Sequence, residues 1–204
     1  MHNKTLKIGI TGGIGSGKTT ICKIFEHFNI PVYYSDQKAK KLLNSNKEVI
    51  KNIKECFGWE SYNEKGNLDR NYLAKIVFNN QQKLNLLNSI VHPPLFEDYR
   101  KWVIANKKYP YTLKEAALMF ETSSYKELDK IVVVTAPINT RINRVVKRDN
   151  VRKEDVLKRM ENQLSDREKI AKADYIIKND GKNSLIIQVL KLHKMFLEMA
   201  KNKN

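Results

Sequence analysis

The sequence predicts an α/β fold: a mostly parallel sheet of five strands in a three-layer arrangement, interrupted by one large helical insertion and one small basic one. Three observations predict it. Short β-branched runs alternate with segments of helical apolar spacing, the order that builds parallel sheets through right-handed crossovers. A glycine-rich turn joins the first such run to the first helical segment. The run Ile-Val-Val-Val at 131–134 is apolar without alternation, as a central strand covered on both faces requires.

Element by element, 6–11 (LKIGIT) reads as a strand that stops at glycines, and 19–28 as a helix with Ile21, Ile24, Phe25 and Phe28 on one stripe. A second strand is expected over 30–34, ending at Ser35-Asp36. From there to about 108 the spacing turns helical, over 37–57, 69–79, 81–91 and 94–107, with 59–67 as a loop between the first two. Strands return at 111–119 and 130–135, and Pro137 suits the first turn of a helix running to about 148. A basic helix over about 153–164, a last strand at 174–177 and an amphipathic helix from Leu185 through Phe196 complete the chain. The expected organisation is a core of 1–35, 111–140 and 172–204, a helical insertion of 36–110, and an arginine-rich segment of 141–171.

At 204 residues the chain has room for one such domain with insertions, not for two independent enzymes. Hydrophobic residues at 41% and charged residues at 29% exclude wholesale disorder. No apolar run approaches a membrane span, and the opening MHNKTLKIGITGG has no apolar signal core, so a cytoplasmic protein without membrane attachment is expected. Cys22 and Cys56 are too few for a disulfide scaffold and lack zinc spacing.

The net charge of +16 invites a nucleic-acid reading, but its distribution argues against a specific one. Thirty of the 38 basic residues are lysines scattered over the whole length, whereas six of the eight arginines (Arg141, Arg144, Arg148, Arg152, Arg159, Arg167) crowd into 27 residues. Spread lysine fits solubility and the steering of polyanionic ligands. Clustered arginine needs a local anion.

Gly12-Gly13-Ile14-Gly15-Ser16-Gly17-Lys18-Thr19 matches G-x-x-x-x-G-K-[ST] and lies where that motif must, between the first strand and the first helix. Its glycines let the backbone close round a triphosphate, with N–H groups and the helix dipole turned to the charge. Lys18 can bridge the terminal phosphates, and the Thr19 hydroxyl can bind Mg²⁺.

A phosphate loop alone fits a switch, a motor, a helicase or a small-molecule kinase. The chain has no NKxD-like base-specificity motif and no long apolar strand ending in paired carboxylates, which weakens the GTPase and helicase readings. Asp36 follows the second strand, at the edge where parallel sheets receive ligands, and could take a proton from an acceptor hydroxyl; Ser35 or Asp36 could equally cap the next helix. Arg141, Arg144 and Arg148, spaced three and four apart, project from one helical face and could reach a common anion, closing over the triphosphate. They could also be a solvated face paired with Asp149 and Asp155. Two other functions stay open: a related nucleoside or nucleotide kinase, and a nucleotide-regulated RNA-binding protein.

Taken together and in order, I-T-G-G-I-G-S-G-K-T-T at 10–20, I-P-V-Y-Y-S-D at 30–36, I-V-H-P at 90–93, L-M-F-E at 118–121, R-V-V-K-R-D at 144–149, Q-L-S at 163–165 and A-D-Y-I-I-K-N at 173–179 resemble the dephospho-coenzyme A kinase family over essentially the full length. The resemblance implies a P-loop kinase core with a helical acceptor-binding insertion and a small helical lid. It implies ATP and Mg²⁺ as cofactors and phosphorylation of the ribose 3′-hydroxyl of dephospho-coenzyme A. It places ATP contacts on Gly12, Gly13, Ile14, Gly15, Ser16, Gly17, Lys18, Thr19 and Thr20, and the metal on Thr19. Catalysis falls on Asp36, Lys18, Arg144 and Arg148, and acceptor contacts on Thr11, Asp36, Lys40, His92 and Pro93. Three positions depart from the family pattern: Tyr34 replaces the first aspartate of D-x-D, Lys40 an arginine, and Ala117 the proline of P-L-L-F-E.

Overall fold

The computed structural model describes residues 5–77 and 80–203. In chain order the elements are β1 (Leu6–Thr11), α1 (Lys18–His27), β2 (Val32–Tyr34), α2 (Ser35–Ser45), α3 (Lys47–Phe57), α4 (Arg70–Val77), α5 (Gln81–Ala105), β3 (Tyr111–Glu115), β4 (Lys130–Thr135), α6 (Ile138–Asp149), α7 (Lys153–Glu161), α8 (Asp166–Ala171), β5 (Tyr175–Lys178) and α9 (Leu185–Asn202). The chain divides into two compact units: everything up to Tyr34 together with everything from Ala105 on, and Ser35–Ile104.

The first unit holds the sheet. Its order is β2-β3-β1-β4-β5, and each of the four pairings is parallel. β4 is covered on both faces, as its unbroken apolar run requires: Val132 and Val134 join a cluster with Ile21 and Phe25 of α1 and Val189 and Phe196 of α9, while Ile131 and Val133 join Met119 and Phe120. Burying each such large side chain contributes about 1.5–3 kcal/mol, enough to fix strand register against slippage. β1 and β4 therefore deliver the phosphate loop and the start of α6 to the same edge of the sheet.

Several expected boundaries move for identifiable reasons. The strand expected over 111–119 ends at Glu115, because Met119 and Phe120 turn back to bury themselves against Ile131 and Val133. The helix expected over 37–57 is two, divided at Asn46, whose side chain accepts from the N–H groups of Glu48 and Val49 and so caps α3. The basic helix expected over 153–164 ends at Glu161, and a further helix, α8, follows. A reciprocal capping box between Ser165 and Glu168 starts it. The segments 81–91 and 94–107 form the single helix α5, which runs through Pro93 and Pro94. Those prolines offer no N–H to the carbonyls of Ser89 and Ile90, and both residues line a cavity. The last residues of the helix expected over 69–79, at 78–79, lie outside the described residues.

Within Ser35–Ile104, Val49, Ile53, Phe57, Tyr62 and Leu73 make a separate small core. The Tyr62 hydroxyl donates to the Leu43 carbonyl at 2.7 Å, and Tyr62 forms an antiparallel bridge with Leu68, so the expected 59–67 loop is tied at both ends.

Candidate active site

The phosphate loop departs from β1 and enters α1 at Lys18. It takes its form from the glycines and from side chains outside the loop. Gly15 (φ 78°) and Gly17 (φ 96°) adopt left-handed backbone, and a Cβ at Gly15 would collide with the backbone of Arg141. Lys18 is buried, and its Nζ donates to the Gly12 carbonyl at 3.1 Å, so the ammonium folds back over the loop.

A cavity of about 240 Å³ opens at this helix N-terminus, lined by Gly15, Gly17, Lys18, Thr19, Arg144 and Arg148, with Thr20 and Val145 completing the wall. Two guanidinium groups, an ammonium and a helix dipole face one small volume, which selects an anion. The hydroxyls of Thr11 and Ser16, both buried, have no hydrogen-bond partner among the described residues. Such groups are rarely left unsatisfied unless a ligand or water completes them.

The three arginines of α6 divide. Arg144 and Arg148 line the cavity; Arg141 does not. Arg141 is buried, its Nε donating to the Ile14 carbonyl at 3.0 Å and a terminal nitrogen to Asp166 Oδ2 at 2.7 Å. Arg144 reaches Asn179 Oδ1 at 3.2 Å and the Gly15 carbonyl at 3.4 Å. Arg148 pairs with Asp149 at 2.7 Å, which also receives Arg159 at 3.0 Å. The hydrogen bond from Arg148 holds the Asp149 carboxyl below the usual carboxylate range. Arg152 is a solvated partner of Asp155 at 3.6 Å.

Sequence reading missed three participants. Gln163 Oε1 accepts from the Ile14 N–H at 2.9 Å, and Asn179 Nδ2 donates to the Ser16 carbonyl at 2.8 Å; both belong to segments quoted above, Q-L-S and the final K-N, without a role. The third is Glu115, a buried carboxylate at the carboxyl end of β3, in register with Ile10 of β1 and Tyr34 of β2. The signal was hidden because the strand was expected to run on to 119.

Tyr34 is turned to structural use. It packs against the cluster under α1, and burial above all, then the Cys22 thiol and Glu26, pushes its hydroxyl far above the ordinary tyrosine range. Burial, with Glu115 and Glu26 nearby, likewise raises the Cys22 thiol, which stays protonated.

The remaining expected site residues lie in the helical unit. Asp36 is exposed in the first turn of α2, and its carboxylate makes no hydrogen bond or ion pair among the described residues, so it is not used as a cap. Lys40 is exposed one turn later on the same helix. His92 and Pro93 sit within α5, the imidazole 5.8 Å from the Phe96 ring. Pro93 lines a cavity of about 600 Å³ with Leu42, Val49, Ile90, Glu97 and Asp98.

The family model for dephospho-CoA kinase matches residues 6–184. A dephospho-CoA kinase from Bacteroides fragilis is 36% identical over 187 residues, covering 92% of this chain and 91% of that protein. Among solved structures, a Thermus thermophilus protein superimposes with a TM-score of 0.84 at 30% identity, covering 94% of this chain and 97% of that one. The dephospho-CoA kinase of Campylobacter jejuni matches with a TM-score of 0.69 at 27% identity over 100% of both chains. With its phosphate loop, its paired cavity arginines and its parallel sheet accounted for, the chain belongs to the dephospho-CoA kinase family.

Proposed function

We propose that the chain transfers the γ-phosphoryl group of ATP to the 3′-hydroxyl of the ribose of dephospho-coenzyme A, giving coenzyme A and ADP. The observation that carries the reading is the small cavity in which the phosphate loop, Lys18 and Thr19 share walls with Arg144 and Arg148. As a family member the chain is a phosphotransferase of coenzyme A biosynthesis that uses ATP and Mg²⁺.

The residues fit a Mg²⁺ delivered with a triphosphate. The Thr19 hydroxyl, exposed at the first turn of α1, makes no hydrogen bond among the described residues, and Glu115 offers a buried carboxylate that can hold a metal-bound water. When bound there, the ion supplies neutralisation of the phosphate oxygens. The chain's own groups do the rest. Loop amides and Lys18 hold the β- and γ-phosphates in line. Asp36 receives the proton as the acceptor oxygen forms its bond to phosphorus and the bond to the bridging oxygen of ADP breaks. Arg144 and Arg148 stabilise the charge spread over the transferring oxygens, Arg148 exchanging Asp149 for phosphate as it does so.

The acceptor side is assigned to the helical unit, the expected 36–110 insertion, through Asp36, Lys40, His92 and Pro93, with Thr11 contributing from the end of β1. The cavity beside Pro93 has apolar walls, and its Glu97 and Asp98 carboxylates are paired with Lys101 and Lys38, which suits the uncharged, amide-bearing arm of the acceptor. Residues 141–171 serve as the closing segment that keeps water from competing as nucleophile. No helix among the described residues is long and apolar enough to cross a membrane. The proposal places the protein in the cytoplasm, with no specific nucleic-acid partner. Measuring ADP release with dephospho-coenzyme A, adenosine, AMP and other alcohols as acceptors tests it. The highest kcat/KM is expected with dephospho-coenzyme A; a higher value with a nucleoside or nucleotide would replace the assignment.

A further inference from the structure

We infer that Arg141 and Asn179 are positioning residues of the phosphate site, which aim the Gly15 and Gly17 amides at the nucleotide by holding the opposite ends of the same peptide units. The inference rests on the phosphate-binding reading above and concerns how the loop keeps its donors turned inward.

A trans peptide is planar, with its C=O and N–H directed to opposite sides. Holding one end therefore sets the other. The Ile14 carbonyl is taken by Arg141 Nε at 3.0 Å, and the N–H of that peptide belongs to Gly15. The Ser16 carbonyl is taken by Asn179 Nδ2 at 2.8 Å, and the N–H of that peptide belongs to Gly17. Both glycines line the 240 Å³ cavity. Each carbonyl is thus drawn out of the loop, and each glycine N–H is left facing in.

The holding matters because glycine does not supply it. With no Cβ, Gly15 and Gly17 tolerate rotation of the adjoining peptide, and a rotated peptide would present a carbonyl oxygen to an anion. The loop's internal hydrogen bond, Ser16 N–H to the Gly13 carbonyl at 3.1 Å, leaves both of these peptides unconstrained.

Each positioning group is itself fixed. The Arg141 guanidinium is neutralised by Asp166, and Asn179 Oδ1 accepts from Arg144, which fixes which end of the amide faces Ser16. Gln163 takes the Ile14 N–H at 2.9 Å, and the Ile14 side chain packs on Ile142, Val145 and Val156, so the tip of the loop is fastened to α6 and α7. A buried guanidinium with two well-made partners would also stabilise the fold, and the test must separate the two roles.

The probe is inorganic tripolyphosphate, titrated calorimetrically and by ¹H–¹⁵N spectra into wild type, Arg141→Lys, Asn179→Ala and a destabilised core control, Val189→Ala. Wild type binds, with the Gly15 and Gly17 amide resonances shifting on saturation. Each positioning variant loses roughly tenfold to a hundredfold in affinity, the scale of hydrogen bonds to a charged group, together with the shift of its own glycine: Gly15 for Arg141→Lys and Gly17 for Asn179→Ala. Val189→Ala melts earlier and binds as wild type does. Tripolyphosphate affinities within about twofold of wild type in both variants, with both amide shifts retained, would overturn the inference. If Arg141→Lys does not fold, Asn179→Ala decides by the Gly17 resonance alone. Failure of wild type itself to bind would instead remove the phosphate-binding reading.

Discussion

The nucleotide side of this protein and its helical unit are built to different standards of fixity. In the sheet unit the phosphate loop is gripped from outside by Arg141, Gln163 and Asn179, each at ordinary hydrogen-bond distance. In the helical unit, Asp36, Lys40 and Pro93 stand exposed on α2 and α5, above a small core of their own. On the proposed function, the contrast separates a nucleotide side whose ordering cost is met before binding from an acceptor side that binding would complete.

The largest expected effect breaks the nucleotide side. Lys18→Ala removes the ammonium folded over the loop and should lower kcat by roughly 10³-fold or more while thermal melting shows a folded chain. A variant within tenfold of wild type would take Lys18 out of the chemistry. Asp36→Asn addresses the other side: ADP affinity by calorimetry should stay near wild type while kcat falls by roughly 10²-fold or more, the scale of a lost general base. Full activity would leave Asp36 a bystander of α2.

Ile53→Ala sharpens the comparison by opening a hole in the helical core. It should cost about 3 kcal/mol in denaturant unfolding and raise the KM for the acceptor while leaving ADP affinity unchanged. A parallel loss of ADP affinity would mean that the two sides do not hold their order separately. The smallest effect belongs to the sheet unit. Burial lowers the Lys114 ammonium to about 8, so between there and its unfolded value near 10.5 the unfolded chain binds the extra proton. Stability should therefore rise with pH through that window, by no more than about 1.4 kcal/mol per pH unit, and Lys114→Met should flatten the rise in melting curves taken at successive pH values.

How much could be read beforehand follows the same division. The phosphate loop and the place of Arg144 and Arg148 in the cavity wall were legible because both follow from local spacing: a glycine pattern between strand and helix, and two arginines one helical turn apart. Arg141 shares that spacing yet braces the loop, and nothing in the helical period distinguishes it; only burial against Ile14 and Asp166 does. Gln163 and Asn179 act across 149 and 163 residues, a separation that no local pattern reports. α8 could have been found from the Ser165–Glu168 capping box. The unbroken α5 could not, because paired prolines argue for a boundary and yet the helix runs through both.

The central claim is that the loop and its arginines aim a γ-phosphate at one ribose hydroxyl of dephospho-coenzyme A. Mass spectrometry with ³¹P–¹H correlation of the product, after incubation with dephospho-coenzyme A, ATP and magnesium, tests it most directly. The account predicts a single added phosphoryl group on the 3′-oxygen, and ADP in equal amount. An unmodified acceptor, or phosphate on another oxygen, would contradict it.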